Sequence, residues 1–376
     1  MAGTSSFSRY ARHLVLPEVG QVGQERLRAS SVLVVGAGGL GSPVLQYLAA
    51  AGVGTIGIVD DDWVEESNLQ RQVIHRTDRV GELKVRSAAE AIVALNPHVA
   101  VRTVEARLTS GNAFDVIQPY DVVVDGTDNF ATRYLINDAC VLLERPCVYG
   151  SVFRFEGQVS VFDARRGPCY RCLYPAPPPA ELAPDCGDAG VLGVLPGLIG
   201  TIQATETLKL LLSVGDPLIG RLLLVDALRM DFRDMRIQKD PACPICGNHR
   251  TITALIDYES FCSSARTTIE GSMIAEMTVQ ELKGRIDRKS APQLLDVRQA
   301  EEHEYVNIGG MLIPLHELEG RVGELDPAKE WVVYCRSGSR SASAVRFLEQ
   351  QGFGNVKNLR GGILAWATWI DPSKPK

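Results

Sequence analysis

From residue 31 to about 240, short apolar and β-branched runs alternate with stretches whose apolar residues recur at helical spacing. The runs at 32–35, 55–59, 100–104, 122–125, 147–150, 157–162 and 222–226 predict strands, and the intervening periodicity predicts helices over 40–51, 82–95, 130–144 and 197–213. Strand and helix alternating in this way imply a doubly wound, mainly parallel sheet, to which the later strands add antiparallel. The most apolar segment, 191–212, is interrupted by Pro196, Gln203, Glu206 and Lys209. It reads as a buried helix and not as a membrane span. After Cys246 the pattern lapses, and residues 247–275 are polar and irregular. A second α/β series follows, with helices predicted near 278–286, 340–351 and 363–369 and strands at 293–297 and 331–334. The expected organisation is a domain over 1–250, a linker over 251–275 and a small α/β domain over 276–376. A proline cluster at 174–184 predicts a mobile loop inside the first domain.

Composition narrows the function. Of 376 residues, 45% are hydrophobic and 22% charged, as in ordinary globular proteins, and the net charge of −6 lacks the basic surplus of a nucleic-acid binder. The stretch MAGTSSFSRYARH has no apolar core of a signal peptide, which points to a cytoplasmic protein. Nine cysteines in such a chain point to thiolates used for metal and chemistry, not to a disulfide framework.

Gly36, Gly38 and Gly41 match the dinucleotide fingerprint G-x-G-x-x-G between a predicted strand and helix, and Asp60 ends the next strand. Alone, this describes an NAD-dependent dehydrogenase. A glycine-rich turn, however, only aims backbone N–H groups at phosphates and does not separate NAD from ATP. The charged residues decide between them. Asp60 and Asp62 close one strand, Ser67-Asn68-Leu69-Gln70-Arg71 follows, Lys84 opens a helix, and Asp128 and Asn129 lie just beyond another strand. Cations for phosphates and carboxylates for Mg²⁺, at the sheet edge where ligands bind, suit a triphosphate. No histidine presents itself as the proton donor a dehydrogenase needs.

Cys169-x-x-Cys172 and Cys243-x-x-Cys246 match a four-thiolate structural Zn²⁺ site built from two knuckles. A redox pair is the alternative, but two pairs closing one loop favour metal. Cys335 begins a six-residue loop between a predicted strand and helix in VVYCRSGSRSASAVRFLEQQGF. Such a loop wraps N–H groups around the sulfur, while a helix N-terminus with Arg336 and Arg340 favours thiolate and persulfide.

The segments RYARHLVLPEVGQVGQERL, VLVVGAGGLGSPVLQYLAAAGVGTIGIVDDD, SNLQRQV, DGTDNFATRYLINDAC, FRFEGQVSVF and GPCYRCLYP resemble the ubiquitin-activating-enzyme superfamily. The likeness is to its bacterial-type branch of molybdopterin-synthase and thiamine-pathway adenylyltransferases, and runs from about residue 7 to 262. LLDVRQAEEHE, the Cys335 loop and NLRGGILAW resemble a rhodanese domain over roughly 276–371. Within it, Asn307 stands where histidine is usual and YVNIGGMLIPL is one residue short.

The resemblance implies a Rossmann-like fold that adenylates, with ATP, the C-terminal Gly-Gly of a small ubiquitin-like sulfur-carrier protein. Gly38, Gly39, Gly41 and Asp60 would hold the nucleoside, with Asp62, Ser67, Leu69, Gln70 and Asn129 also at the site. Asn68, Arg71 and Lys84 would neutralise the triphosphate, and Asp128 would bind Mg²⁺. It further implies a homodimer in which Arg12, with Arg9 as stand-in, reaches the partner's ATP. Cys186 corresponds to a cysteine on the family's crossover loop. A persulfide on Cys335, charged by a cysteine desulfurase or thiosulfate, would convert the adenylate to a thiocarboxylate, Cys186 resolving the intermediate. Two other classes remain as alternatives: a nicotinamide-dependent oxidoreductase, and a non-catalytic scaffold for carrier proteins. Joint retention of Arg71, Lys84, Asp128 and Cys335 weighs against the scaffold. The receiving pathway, molybdenum cofactor biosynthesis among others, stays open.

Overall fold

The computed structural model describes residues 8–177, 190–264 and 274–374. These fall into two compact units, one ending in the 258–264 helix and one beginning near residue 274.

The first unit is built on an eight-stranded sheet in the order β3-β2-β1-β4-β5-β6-β7-β8. Its parallel half comprises β1 (Ser31–Val35), β2 (Thr55–Val59), β3 (Ala100–Val104), β4 (Val122–Asp125) and β5 (Cys147–Phe153). β6 (Glu156–Phe162), β7 (Arg221–Asp226) and β8 (Asp231–Arg236) continue it antiparallel. β1 is apolar on both faces because both are covered: Val32 and Val34 enter one core, Leu33 and Val35 the other. The first core takes in α1 (Gly41–Ala51), α2 (Lys84–Leu95) and α4 (Val194–Leu212), and the second takes in α3 (Phe130–Leu142). The chain leaves β1 towards β2 and β3, then returns to β4 on its other side. That reversal opens a crevice beyond the carboxyl ends of β1 and β4.

α4 explains the polar residues that interrupt its apolar sequence. Gln203 is fully buried and donates to the carbonyls of Asp125 (2.7 Å) and Val148 (3.1 Å). Glu206 accepts from the Leu218 N–H at 2.8 Å. Pro196 falls in the first turn, where the missing N–H is not needed, so the helix starts three residues earlier than its sequence predicts. A larger difference lies in the expected linker. Residues 258–264 form α5 (Tyr258–Ser264), and Tyr258 is buried with its hydroxyl donating to Asp138 at 2.8 Å. The first half of that stretch therefore packs on the first unit, and only 265–273 lie outside the described residues.

The second unit is a five-stranded, wholly parallel sheet in the order β11-β10-β12-β13-β9. Its strands are β9 (Glu276–Met277), β10 (Gln293–Asp296), β11 (Met311–Leu312), β12 (Trp331–Tyr334) and β13 (Val356–Leu359). Helices α6 (Val279–Asp287), α7 (Ser339–Gln350) and α8 (Gly362–Trp369) accompany it. α6 opens with a capping box between Thr278 and Glu281. The shortened segment around Asn307 is accommodated by a turn: Asn307 donates to the His303 carbonyl and accepts from the Gly309 N–H, and Gly309 and Gly310 take φ of 87° and 101°.

Candidate functional site

The crevice beyond β1 and β4 is a cleft of about 350 Å³, within the range of small-molecule sites. The glycines make it possible by packing. A Cβ on Gly36 would stand 2.8 Å from the Gly126 carbonyl oxygen, and one on Gly41 would stand 2.0 Å from that of Gly36. The β1 and β4 ends and the start of α1 approach too closely for side chains. Gly38 and Gly39 line the cleft itself.

Asp60 fastens this loop. One carboxylate oxygen accepts the Ala37 N–H and the other the Asp62 N–H, both at 2.8 Å. Burial pushes the Asp60 carboxyl up, while the Lys84 ammonium and these two N–H groups pull it down. Lys84 is 8% exposed and its ammonium meets the Asp62 carboxylate at 2.8 Å, Asp62 itself being 69% exposed. Arg71 lines the cleft and donates to the Ser67 carbonyl at 3.1 Å. Asp128 and Asn129 line the opposite side, and Asn129 also caps α3 by accepting the Thr132 N–H at 2.9 Å. Nine of the residues singled out in the sequence thus converge: Gly36, Gly38, Gly39, Asp60, Asp62, Arg71, Lys84, Asp128 and Asn129.

Others do not line the cleft. Gly41 serves packing, and Ser67, Asn68, Leu69 and Gln70 form the turn that delivers Arg71. Asn68 is turned inward at 8% exposure, and Gln70 lies against Gly193 at the start of α4. Arg12 is exposed on the short helix Ala11–Leu14, away from the cleft of its own unit. Arg9 donates to the Leu95 carbonyl at 2.8 Å. Cys186, like most of the proline-rich loop, lies outside the described residues.

Three contributors escaped the sequence reading. Arg133 lines the cleft at 7% exposure, donating to the Thr127 carbonyl at 2.9 Å between the rings of Phe130 and Tyr149. Gln72 lines it at 4% exposure, and its side-chain oxygen has no hydrogen-bond partner among the described residues. His75 stands behind the glycine loop with both ring nitrogens engaged. Arg133 and His75 bond main-chain carbonyls and the Gln72 oxygen is unpaired among the described residues, so only position in the fold reveals them.

Cys169, Cys172, Cys243 and Cys246 form one cluster, with all sulfurs within 4.8 Å of one another. Three of the separations are 3.9, 3.6 and 3.4 Å. A tetrahedron with Zn–S bonds of about 2.3 Å has edges of about 3.8 Å, so the donor set fits a four-coordinate ion with no open position. The Asp240 N–H donates to Cys172 Sγ at 3.4 Å, which suits a thiolate held for metal.

In the second unit, Cys335 directly follows β12 at zero exposure. Its Sγ receives the Gly338 N–H at 3.1 Å and lies 3.4 Å from the Ser341 hydroxyl, which is itself 2.7 Å from Asn358 Oδ1. Gly338 reaches this position with a φ of 101°, and α7 starts at the next residue. Loop N–H and helix N-terminus therefore face the sulfur, as a persulfide cradle requires. Arg340 differs from expectation, since Glu302 meets its charge through two hydrogen bonds of 2.7 and 2.8 Å. The backbone support shown for the sulfur is the Gly338 N–H.

Residues 10–245 match the ThiF family, and residues 278–368 match the rhodanese-like domain. The chain is 48% identical to MoeZ of Mycobacterium tuberculosis, named a probable adenylyltransferase/sulfurtransferase, over 97% of this chain and 94% of that protein. It is 54% identical to the sulfur carrier protein adenylyltransferase of Thermus thermophilus, over 68% of this chain and 96% of that one. A crystal structure of Escherichia coli MccB with MccA-N7isoASN superposes with a TM-score of 0.57, covering 65% of this chain and 76% of MccB. At 20% identity that likeness is one of fold alone.

Proposed function

Because the chain belongs to the ThiF family and carries a rhodanese-like domain, joining an adenylyltransferase to a sulfurtransferase, we propose that it activates and then sulfurates one small protein. The substrate is a ubiquitin-like sulfur carrier ending in Gly-Gly. The single observation that carries this reading is the meeting of Gly38, Gly39, Asp60, Arg71, Lys84 and Asp128 in one cleft, in a chain that also cradles Cys335. Family membership favours neither the nicotinamide oxidoreductase nor the silent scaffold.

In the first step the carrier carboxylate attacks the α-phosphorus of ATP and pyrophosphate leaves. Charge grows on phosphoryl oxygens, and Arg71, Lys84 and the glycine-loop N–H groups are preorganised to meet it. Asp60 faces the ribose, and Asp128 is the carboxylate available for Mg²⁺, which would supply further charge neutralisation when bound. Arg12 completes the site from the second subunit of a homodimer, in keeping with its exposure away from its own cleft.

In the second step a persulfide on Cys335, loaded by a cysteine desulfurase or from thiosulfate, attacks the acyl carbon and AMP leaves with the former carboxylate oxygen. The product is an acyl disulfide. Attack by the Cys186 thiolate on Cys335 Sγ forms a Cys186–Cys335 disulfide and releases the carrier thiocarboxylate, and an external thiol then resets both cysteines. The cysteine cluster holds structural zinc. We assign adenylation to the part up to about residue 250, extended by the packed segment to 264, and sulfur transfer to 276–376. Among the described residues no helix is long and apolar enough to cross a membrane, and the use of free thiols suits the cytoplasm. Mass measurement of candidate carriers incubated with this protein, ATP and thiosulfate tests the reading. A gain of one sulfur in place of oxygen is expected, and no carrier modified under any condition would overturn it.

A further inference from the structure

Ala37 lies between the first two glycines of the loop and is fully buried. Its N–H donates to Asp60, and its carbonyl receives a hydrogen bond from His75 Nε2 at 2.9 Å. A carbonyl oxygen can only accept, so the imidazole hydrogen sits on Nε2. His75 is 6% exposed, and burial holds its pKa below the ordinary histidine value, so the ring is neutral. Nδ1 is then an acceptor and takes the Ser87 hydroxyl hydrogen at 2.9 Å.

These contacts join three parts of the cleft. Ser87 lies one turn beyond Lys84 on α2. The backbone N–H of His75 donates to the Gln72 carbonyl at 3.0 Å, and Gln72 directly follows Arg71. The ring, of fixed tautomer, therefore ties the glycine loop to the helix that presents Lys84, and the main chain of the same residue is bonded to the turn that presents Arg71. His75 itself does not line the cleft.

We infer that His75 is a positioning residue of the nucleotide site: it sets the spacing between the glycine-loop N–H groups and the Lys84 and Arg71 charges. The inference rests on the reading of the cleft as an ATP site. A ligand whose phosphates bridge loop and cations feels that spacing, because misplacement by about 1 Å is enough to cost orders of magnitude in oriented chemistry. A nucleoside without phosphates does not bridge them and is insensitive to it.

The test is titration of the full-length protein with Mg-ATP and, separately, adenosine. His75→Leu should weaken ATP about tenfold, the scale of one lost buried hydrogen bond, and leave adenosine affinity unchanged. His75→Gln keeps a side-chain N–H for the Ala37 carbonyl and should recover most of the loss. Ser87→Ala, a mild change that leaves the ring in place but unoriented, should weaken ATP about threefold. It carries the test should His75→Leu not fold. Unchanged ATP affinity in Ser87→Ala and His75→Gln with no rescue over His75→Leu would overturn the role. So would equal loss of ATP and adenosine. Wild-type protein that binds no ATP at all would instead overturn the reading of the cleft.

Discussion

Arg171 and Asp138 face each other in the interior with side chains 1% and 0% exposed, joined by two parallel hydrogen bonds of 2.8 Å. Arg171 lies between two of the clustered cysteines, Asp138 lies on α3, and Tyr258 of α5 donates to the same carboxylate. Zinc knuckle, sheet-covering helix and the segment after the second knuckle thus share one buried charge pair. Removing one partner strands the other, so Asp138→Ala should lose about 3–5 kcal/mol in urea unfolding. The double change Arg171→Met with Asp138→Leu should lose less than Asp138→Ala alone. Near wild-type stability of Asp138→Ala would mean that water reaches the guanidinium.

Asp128 is exposed on the loop after β4, where its carboxylate supports no other side chain by hydrogen bond among the described residues. Asp128→Ala should keep the wild-type melting temperature yet abolish carrier-dependent exchange of pyrophosphate into ATP. Undiminished exchange would remove Asp128 from the site.

The four sulfurs fit one tetrahedron, so metal analysis of purified protein should return about one zinc per chain. Cys169→Ser should depress thermal stability, while the enzyme that remains folded keeps its chemistry. Protein that is fully stable without metal would point to a redox pair.

Cys335 Sγ receives a loop N–H in the rhodanese-like unit, whereas on the proposed reading adenylation draws on the cleft residues. Cys335→Ala should therefore form carrier adenylate at the wild-type rate and yield no thiocarboxylate from thiosulfate. Free sulfide must be left out, since it can attack the adenylate directly. Cys186→Ala should adenylate normally and release the acyl disulfide slowly. Thiocarboxylate formed by Cys335→Ala in these conditions contradicts a persulfide on that residue.

Arg12 contributes nothing to its own cleft. If it serves a second subunit, mixing inactive Arg12→Ala with inactive Asp128→Ala should restore part of the exchange activity, because one composite site regains both groups. Continued inactivity after demonstrated subunit exchange would exclude that service.

Much of this was legible in the sequence, and the exceptions have causes. β1, β2 and β4 announce themselves because buried parallel strands are continuous apolar runs. β9 and β11 are two residues each, too short for any period. β13 reads VKNL, and its buried Asn358 breaks the apolar run in order to bond Ser341. α5 was hidden because Tyr258 and Phe261 stand among polar residues, and their burial depends on α3. Cleft charges at strand ends could be found from spacing alone. His75 and Arg133 could not, since what they hold are the carbonyls of Ala37 and Thr127.

The cysteine cluster also has a topological effect. It joins 169–172 to 243–246, so all the chain between them, including α4, β7 and β8, becomes a loop closed at its base. Closing a loop of about 70 residues removes unfolded-state entropy worth about 4 kcal/mol in the chain-entropy account, whatever the loop contains. A metal held there would act as a reversible clasp where a disulfide would not survive reducing conditions. The gain grows only with the logarithm of loop length. Insertions within the loop would therefore change the clasp's contribution very little, leaving the proline-rich stretch free to vary in length at small cost to that contribution.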